Sequence, residues 1–323
     1  MRGSILESTP CPISGSLNNT PLFQVSDRFN ISDGRTWQIV RNEDSGLVYL
    51  NPRPNLESIG KYYEVAEYDP FLTIKEDKSL QEKFYEWVRS KISLNWKASM
   101  VFKRSPLFDA SKESHFSFLD IGCATGDFAA TFRKVAKSKK LSLETFGIDV
   151  SHRAVQYARN QYEIEAYVGE LATLNFTTPQ DLITMWHSLE HIHHINQTLD
   201  KIKSILKKNG VLAVAMPNQA SYDATLYQTH WVAYDAPRHL YHFSPKTFSK
   251  LLSRHRLGII DMHGIPLDSF YNALLSEQLR AKEEGMNAGV GGLIKSVMRG
   301  FRAAVEGVTP ESASSVVYYI KHQ

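Results

Sequence analysis

Residues 118–126 read FLDIGCATG, and this stretch decides the fold. Its first half is apolar apart from Asp120 and predicts the end of a buried strand, whereas residues 127–138, DFAATFRKVAKS, have the apolar spacing of a helix. Gly122 and Gly126 lie between the two, where the lack of a side chain lets the backbone approach a ligand closely. The N-terminus of the helix that follows favours an anionic group. The stretch therefore predicts a strand, a ligand-binding turn and a helix.

Strands and helices alternate on both sides of this turn. The predicted strands are 116–121, 144–150, 165–169, 181–186, 211–217, 258–265 and 314–322. The predicted helices are 127–138, 151–162, 195–210 and 244–256, with Ser151 and Ser244 as N-caps, Pro245 at the first helical position and Gly210 as a C-terminal stop. Continuous apolar strands that alternate with helices predict a parallel sheet covered on both faces. We therefore expect an α/β, Rossmann-like doubly wound fold with a mostly parallel seven-stranded sheet.

Changes of composition predict three regions. Residues 1–55 are rich in Ser, Asn, Pro and Gly with short β-like pieces, and we predict a small β-rich N-terminal appendage. Residues 56–110 are predicted to form a helical lid or linker, with an amphipathic helix at 79–103. Residues 111–323 are predicted to form the main domain, with a helical insertion at about 272–309.

The turn differs from two familiar nucleotide-binding turns. A dinucleotide fingerprint G-x-G-x-x-G would need glycines where the chain has Ala124 and Asp127, and the lysine of a phosphate-binding loop is absent. Asp120, just before the glycines, suits a cationic or amino-bearing ligand better than a pyrophosphate. The next predicted strand ends at Asp149, whose carboxylate can accept hydrogen bonds from two ribose hydroxyls.

With these motifs the sequence resembles the class I S-adenosylmethionine-dependent methyltransferases, in particular bacterial enzymes that methylate sugars, quinones and other small molecules. The resemblance covers roughly residues 116–265 and implies S-adenosyl-L-methionine as the cofactor. It implies that the turn holds the methionyl part, the acid after the second strand the ribose, and the end of the third strand the adenine. The cofactor-binding residues implied in this way are Asp120, Gly122, Cys123, Ala124, Gly126, Asp149, Val150, Glu170, Leu171 and His187.

Four histidines fall within residues 187–194, HSLEHIHH. Taken alone, His187, Glu190 and His191 match H-x-x-E-H, a zinc-protease signature that requires both histidines on one helix. Here His187 directly follows the predicted fourth strand, so the sequence disfavours a zinc site. His187 and His191 are instead candidates for polarising or deprotonating an acceptor hydroxyl. The alternative is that Glu190 and His191 only hold the loop through hydrogen bonds; the other two histidines are predicted to be exposed.

A second set of candidate residues follows the predicted fifth strand. Arg238 is predicted to clamp an anionic substrate, and His239 to act as a catalytic base or to orient one. Trp231 and Tyr234 are predicted to form an apolar wall for the substrate. The alternatives are structural: Arg238 paired with Asp235 inside a loop, and the two aromatic side chains in the core.

The N-terminal region contains an incomplete metal-ligand pattern. Similar enzymes carry a C-P-x-C … C-x-x-C-G zinc ribbon here, and the corresponding positions of this chain are Cys11, Ser14, Asn42 and Ser45. Because one thiolate cannot hold a structural zinc, we predict a ribbon-shaped segment without metal that is stabilised by packing. An aromatic segment with Tyr62, Tyr63 and Tyr68 follows, and in similar enzymes such a segment lies over the cofactor as a lid. Tyr68 is its predicted substrate contact; the alternative is core packing against the helix at 79–103.

Composition limits the partners and the setting. A net charge of +3 over 323 residues is too small to indicate nucleic acid or an anionic membrane. Two cysteines exclude a disulfide framework and favour a reducing, cytoplasmic setting. The N-terminus lacks the apolar core of a signal peptide, and no apolar run reaches the roughly 18 residues of a membrane span. We expect a cytoplasmic protein with a small-molecule partner and no nucleic acid.

The expected function is methyl transfer from S-adenosylmethionine to a small-molecule acceptor, with O-methylation of a sugar or another hydroxylated metabolite favoured. Such a displacement needs alignment and a base, but no metal. A cofactor-binding scaffold or partner subunit without turnover is the alternative, and a zinc peptidase is disfavoured. Residues 286–308 are amphipathic and mildly basic and suit peripheral membrane contact, although a packed lid or dimer helix is favoured. The oligomeric state stays open.

Overall fold

A computed structural model of the chain describes residues 5–63, 92–108, 115–286 and 289–323. Its strands are β1 (Leu6–Glu7), β2 (Asn19–Ser26), β3 (Thr36–Asn42), β4 (Val48–Leu50), β5 (Arg53–Pro54), β6 (His115–Ile121), β7 (Ser142–Asp149), β8 (Glu165–Val168), β9 (Gln180–Trp186), β10 (Leu206–Pro217), β11 (Tyr241–His242), β12 (Leu257–Gly264) and β13 (Ser315–His322). Its α-helices are α1 (Leu56–Ile59), α2 (Leu94–Arg104), α3 (Asp127–Ser138), α4 (His152–Tyr162), α5 (Ile195–Ile205), α6 (Tyr222–Tyr227), α7 (Pro245–Arg254), α8 (Pro266–Glu283) and α9 (Gly289–Glu306).

Seven of these strands form one sheet in the order β12-β13-β10-β9-β6-β7-β8. The pairs from β10 through β8 are parallel, whereas β13 runs antiparallel to both β10 and β12. Strands β7 and β9 lie on opposite sides of β6, so the strand order reverses there and a crevice opens beyond the carboxyl ends. This confirms the predicted doubly wound, mostly parallel seven-stranded sheet.

Alternate residues of the central strands fill the two faces of the sheet. Phe118 and Leu182 belong to the buried cluster that contains the α2 and α3 side chains, whereas Leu119 and Ile183 belong to the cluster on the opposite face. Since successive side chains of a strand point to opposite faces, continuous apolar strands are what a sheet covered on both sides requires. The packed faces hold the strand ends in place at the crevice.

Local signals set most helix boundaries, with one error. Ser151 accepts a hydrogen bond from Ala154 N–H, and Ser244 caps α7 with Pro245 in its first turn, as predicted. The prediction that Gly210 ends a helix is wrong, because α5 ends at Ile205 and β10 already begins at Leu206. Leu206 pairs with Gln180 of β9, and a Cβ at 210 would lie 3.0 Å from the Gln180 carbonyl oxygen. Gly210 therefore allows a close approach of two strands. Of the predicted helix at 79–103, the described part is α2.

The N-terminal strands β2, β3 and β4 form a four-stranded sheet with β11, which comes from the main domain. Tyr49 of β4 pairs with Tyr241 of β11. Trp37 and Tyr49 lie in the same buried cluster as Leu119 of the large sheet. The N-terminal region is thus joined to the main sheet by a shared strand and a shared core; the boundaries at residues 55 and 110 stay predictions.

The helical addition consists of α8 and α9, which pack against each other. One stripe of the second helix and the turn after it stays exposed and is apolar. The stripe consists of Ile294, Val297, Met298, Phe301, Val305 and Val308, each more than half exposed. Within the described part of the chain, no helix combines the length and apolar character that a bilayer span requires.

Candidate cofactor and acceptor site

Gly122 brings the turn after β6 against the loop after β9. Its φ is +73°, a left-handed conformation, and a Cβ at this position would lie 2.5 Å from the Cβ of Ser188. Its N–H donates to the carbonyl of Ile148 at 2.8 Å, which ties the turn to β7. Both the conformation and the space at 122 therefore require glycine. The result is a bare stretch of backbone at the reversal point of the sheet.

The rest of the turn is equally tight. Gly126 has a φ of +80°, and a Cβ there would lie 2.9 Å from the Cβ of Ala158 in α4. Ala124 also adopts a left-handed φ of +46°, which is unfavourable for a residue with a Cβ and marks a conformation held by its surroundings. Cys123 is buried against Gly147, and burial raises the pKa of its thiol well above the ordinary value. Cys123 therefore fills space as a neutral thiol.

Asp149 lies at the end of β7 and holds the turn through its carboxylate. It accepts hydrogen bonds from Ala124 N–H at 2.8 Å and from Ser151 N–H at 2.9 Å. Burial raises its pKa, and these amide donors act in the opposite direction. Val150, the next residue, is largely exposed at the crevice edge. The carboxylate is thus fixed in direction by the same turn that it braces.

Asp120 is a buried carboxyl group at the end of β6. Its Oδ1 accepts a hydrogen bond from Thr184 Oγ at 2.6 Å. Burial raises the pKa of Asp120 from 3.8 to about 7, with Asp149 acting in the same direction and Lys97 against it. A cationic group bound nearby would favour the charged form and lower this pKa. Asp120 is thus suited to a positively charged ligand group.

The residues after β8 lie at the far edge of the crevice. Glu170 Oε2 lies 3.3 Å from His194 Nδ1, and Leu171 is buried. His193, predicted to be exposed, is buried instead, because its Nε2 hydrogen-bonds the carbonyl of Pro54 at 2.9 Å. That expectation is therefore wrong for His193, which anchors the N-terminal region to the loop.

His187 directly follows β9, at the strand tip where it was predicted. Its φ is +50°, so a non-glycine residue is held in a left-handed conformation, and its N–H donates to the carbonyl of Ala215. Its ring lies between two acids, with Nε2 3.3 Å from Asp268 Oδ2 and Nδ1 3.8 Å from Glu190 Oε1. About a third of the side chain is exposed. The pair His187–Asp268 therefore combines a basic ring, a neighbouring carboxyl group and a side-chain surface that a ligand can reach.

His191 and His239 form a second pair deeper in the crevice wall, with ring centroids 4.5 Å apart. His191 Nδ1 lies 3.0 Å from the hydroxyl of Tyr63 and 3.1 Å from the carbonyl of Arg238. His239 Nδ1 lies 2.8 Å from the carbonyl of Ala233. Burial lowers the pKa of His239 to about 4 and that of His191 well below the ordinary range. Both rings are therefore neutral near pH 7.

Arg238 lies inside the fold. Its NH2 group donates to Asp27 and Asp235 at 2.7 Å each, and the side chain has no exposed surface. Burial acts to raise the pKa of Asp235, but Arg238 and Arg28 hold it far below its usual range. We therefore correct the predicted role of Arg238: it joins the N-terminal region to the loop at 235–238 and does not offer its guanidinium to a substrate. The structural alternative, pairing with Asp235, describes this position.

Trp231 and Tyr234, the predicted substrate wall, are also buried. Trp231 Nε1 donates to Asp223 at 3.0 Å, and its ring contacts that of Tyr234 edge to face at 5.1 Å. Tyr234 in turn packs against Phe23 of the N-terminal sheet. These contacts place both rings in the core between the two sheets, so we correct their assignment to the substrate. Tyr68 lies outside the described residues.

The four residues that stand at the zinc-ligand positions of similar enzymes, Cys11, Ser14, Asn42 and Ser45, lie together in the N-terminal region. Cys11 Sγ lies 3.2 Å from Ser45 Oγ, and Ser14 Oγ donates to Asn42 Oδ1 at 2.9 Å. The same Asn42 oxygen accepts the N–H of Ser45 at 3.1 Å. We call these four residues the N-terminal cluster. Hydrogen bonds connect all four members; descent from a zinc ribbon stays a proposal.

Two residues near the site, Asp268 and Thr184, were not singled out from the sequence, whereas Tyr63 was named only as part of the aromatic segment. Asp268 comes from the start of α8, Thr184 from the interior of β9 and Tyr63 from the region before α2. Thr184 carried a signal, as a polar residue within the apolar run 182–186. Asp268 and Tyr63 reach the crevice through contacts distant in sequence.

Comparison with known proteins agrees with this arrangement. Residues 95–259, just over half of the 323-residue chain, match the methyltransferase domain family. Among solved structures, the chain is similar to one in the complex between the Haloferax volcanii Trm112 methyltransferase activator and a methyltransferase, with 15% identity and a TM-score of 0.52 over 79% of this chain and 97% of that chain. This likeness supports the fold. No curated protein sequence matches.

Two further solved structures are similar to the chain at lower TM-scores. One is an S-adenosylmethionine-dependent methyltransferase from Clostridium acetobutylicum, with 12% identity and a TM-score of 0.46 over 76% of this chain and 99% of that chain. The other is magnesium protoporphyrin IX methyltransferase from Synechocystis with bound S-adenosylhomocysteine, with 12% identity and a TM-score of 0.47 over 65% of this chain and 92% of that chain.

Proposed function

The chain belongs to the methyltransferase domain family, and from this premise we propose that it methylates a small hydroxylated molecule, with a sugar or a similar metabolite as the favoured acceptor. S-adenosyl-L-methionine is the cofactor and supplies an electrophilic methyl group on a sulfonium. The observation that carries the proposal is the turn at 122–126, whose two glycines leave no room for a Cβ, beside the carboxyl groups of Asp120 and Asp149 at adjacent strand ends.

The cofactor roles follow from the chemistry of the residues at the crevice. Asp120, with its raised pKa, suits the neighbourhood of the amino group and sulfonium, because a positive charge would restore its ionised form. Asp149 keeps a fixed orientation at the strand end and suits the ribose hydroxyls. Val150, Glu170 and Leu171 suit the adenine end. The backbone at Gly122 leaves room for the methionyl part.

We assign the proton transfer to His187. Its ring is the accessible one at the strand tip, and the carboxylate of Asp268 can stabilise the imidazolium that forms when His187 takes a proton from the acceptor hydroxyl. Although burial acts to raise the pKa of Asp268, the hydrogen bond and charge interaction with His187 hold it below the ordinary value. Alignment of the acceptor oxygen with the methyl carbon and sulfur supplies much of the rest of the acceleration. His191 and His239 line the deeper wall.

A cofactor-binding protein without turnover is the second candidate. It is compatible with every feature of the turn, because binding alone needs the glycines and the two carboxyl groups. The base–acid pair His187–Asp268 favours the enzyme, since a strained, partly exposed histidine held against an acid is suited to proton transfer.

Calorimetry and a methylation screen test the two candidates in order. We expect S-adenosylhomocysteine to bind with one site per chain and one class of hydroxylated acceptor to be methylated. His187→Gln should lower turnover by roughly 100-fold or more and change cofactor affinity little, because general-base catalysis contributes about that factor. His115→Gln, at an exposed histidine that begins β6 and so lies at the opposite end of that strand from the crevice, is the matched control. Failure to bind S-adenosylhomocysteine would contradict the proposal, and binding without methylation of any acceptor would favour the scaffold.

We also propose that the exposed stripe on α9 contacts a lipid surface. Phe301 is 63% exposed within this stripe, and the basic side chains Lys295 and Arg302 are exposed on the same helix, as in interfacial amphipathic helices. Phe301→Ser should abolish flotation of the full chain with anionic vesicles, whereas Leu17→Ser, at another exposed apolar residue, should not. Absence of flotation together with concentration-dependent dimers in sedimentation velocity would instead assign the stripe to a second copy of the chain.

A further inference from the structure

Glu190, His191 and His239 form a compact group of potential metal ligands in the crevice wall. One carboxylate oxygen and one nitrogen of each ring lie within 4.8 Å of one another. The first two residues come from the short 3-10 helix at 189–191 after β9, and the third from the loop before β11. Two separate loops thus bring three side chains with lone pairs to one place.

Glu190 is the member that demands a partner. It is only 1% exposed, and no other residue of the described chain hydrogen-bonds either of its carboxylate oxygens. The nearest basic atom is His187 Nδ1 at 3.8 Å, beyond hydrogen-bonding distance. A buried carboxylate without donors is unfavourable unless it binds a proton or a cation. Burial accordingly raises the pKa of Glu190 to about 7.

The two imidazole rings are oriented as metal ligands usually are. His191 Nδ1 faces the carbonyl of Arg238 at 3.1 Å, and His239 Nδ1 faces the carbonyl of Ala233 at 2.8 Å. Because a carbonyl only accepts, we assign the hydrogen of each neutral ring to Nδ1, with the Tyr63 hydroxyl, 3.0 Å from His191 Nδ1, as a further acceptor. Each Nε2 then keeps its lone pair, and that of His239 lies 3.9 Å from Asp235 Oδ2. A histidine that donates its second N–H to a carbonyl is the common arrangement around bound metal ions.

We propose that Glu190, His191 and His239 bind a divalent transition-metal ion such as Zn²⁺. Two neutral imidazoles and one carboxylate are a donor set that zinc, iron(II) and neighbouring metals accept. Bond lengths of about 2.0–2.2 Å require the three ligand atoms to draw together by side-chain rotation when the ion binds. The ion would balance the buried charge of Glu190. The inference is independent of the proposed acceptor chemistry, and it revises the sequence-based expectation of a chain without metal.

The test uses the full chain after removal of metal with EDTA. Titration with Co²⁺ should produce a visible absorption band that saturates at one ion per chain, and Zn²⁺ should displace it. Glu190→Gln and His239→Asn should each weaken binding by more than about 100-fold, beyond the roughly 10–100-fold typical of losing an outer partner of a ligand. His152→Asn, which removes an exposed histidine elsewhere, should leave binding unchanged.

The affinity of each variant for S-adenosylhomocysteine and its melting temperature report whether it is folded, so a failed fold is not mistaken for a lost ligand. If no band forms in the folded wild-type chain, Glu190 carries a proton and the proposal is wrong. Unchanged binding in both ligand variants would also overturn it, because the metal would then lie elsewhere.

Discussion

Two groups of polar side chains in this fold contain the residue types of a metal or ligand site, and they differ in what their polar atoms contact. In the N-terminal cluster, the side chains of Cys11 and Ser45 contact each other, as do those of Ser14 and Asn42. In the crevice, neither carboxylate oxygen of Glu190 forms a hydrogen bond with any other residue that the structure describes. The comparison teaches that a site able to bind a ligand is marked by buried polar atoms that have no hydrogen-bond partner within the fold.

The largest expected effect comes from placing further cysteines in the N-terminal cluster, which tests that half of the comparison. The variant S14C/N42C/S45C places four thiols where the present side chains already touch, so we expect it to bind one Zn²⁺. Structural zinc sites of this kind contribute apparent binding free energies of roughly 10–16 kcal/mol. The melting temperature should rise with Zn²⁺ and fall with EDTA.

The matched control is S16C/N18C/D44C, which adds three thiols at neighbouring positions outside the cluster. It should show no comparable stabilisation by zinc. Equal responses of the two variants would mean that the cluster has no special geometry for a metal, and the proposed relation to a zinc ribbon would lose its support.

Gly122 and Gly46 provide the second test, since one glycine lies in each region and both have a positive φ. Gly46→Ala meets no atom within 4 Å and should cost about 1–2 kcal/mol of stability through its conformation alone. Gly122→Ala adds a clash with Ser188 and must displace the turn, so affinity for S-adenosylhomocysteine should fall by at least about 100-fold, or more than about 2.7 kcal/mol. Calorimetry and denaturant unfolding of both variants check this; an unchanged affinity in Gly122→Ala would contradict the proposed cofactor cradle.

These tests also separate what the sequence could predict from what it could not. The strand–turn–helix unit at 118–138 was predictable because hydrophobic periodicity, Gly122 and Gly126 are local signals. The burial of Arg238 was predictable only in part: its pairing with Asp235 was one of two alternatives, but its other partner, Asp27, lies 211 residues away in sequence. Asp268 was missed for the same reason. The burial of an apolar segment can be predicted from the segment itself. The position of a charged side chain depends on partners that only the tertiary fold brings near.

Asp120 offers a test through pH. Its pKa is raised from 3.8 to about 7, so the folded chain holds a proton between about pH 4 and 7 that the unfolded chain has lost. Asp120 alone should therefore lower stability in the absence of cofactor as pH rises through this window, by at most about 4 kcal/mol at about 1.4 kcal/mol per pKa unit; Glu190, whose pKa is also raised to about 7, adds a separate contribution of the same sign. Asp120→Asn, which can still accept from Thr184, should remove much of this slope in urea unfolding.

Ser14→Ala is the counterpart in the N-terminal cluster. Its partner Asn42 does not titrate, so the expected loss of about 1 kcal/mol should be the same across the pH range. If Asp120→Asn kept the full slope of the wild-type chain, the buried carboxyl of Asp120 would not be the group that holds the proton.

Asp149 and Asp44 give the smallest and most selective effect. The amides of Ala124 and Ser151 donate to different oxygens of Asp149, so Asp149→Asn keeps an oxygen for only one of them. It also removes the charge, and the substituted amide no longer accepts two ribose hydrogen bonds as a carboxylate does. A hydrogen bond to a charged group contributes about 1.5–3 kcal/mol, so affinity for S-adenosylhomocysteine should fall roughly 10–100-fold. Asp44→Asn removes an exposed carboxylate that accepts from Asn18, outside the crevice, and should leave affinity unchanged. Adenosine, which retains the ribose, should lose affinity for Asp149→Asn by a similar factor, whereas equal losses in both variants would indicate a general charge effect and remove the ribose contact from Asp149.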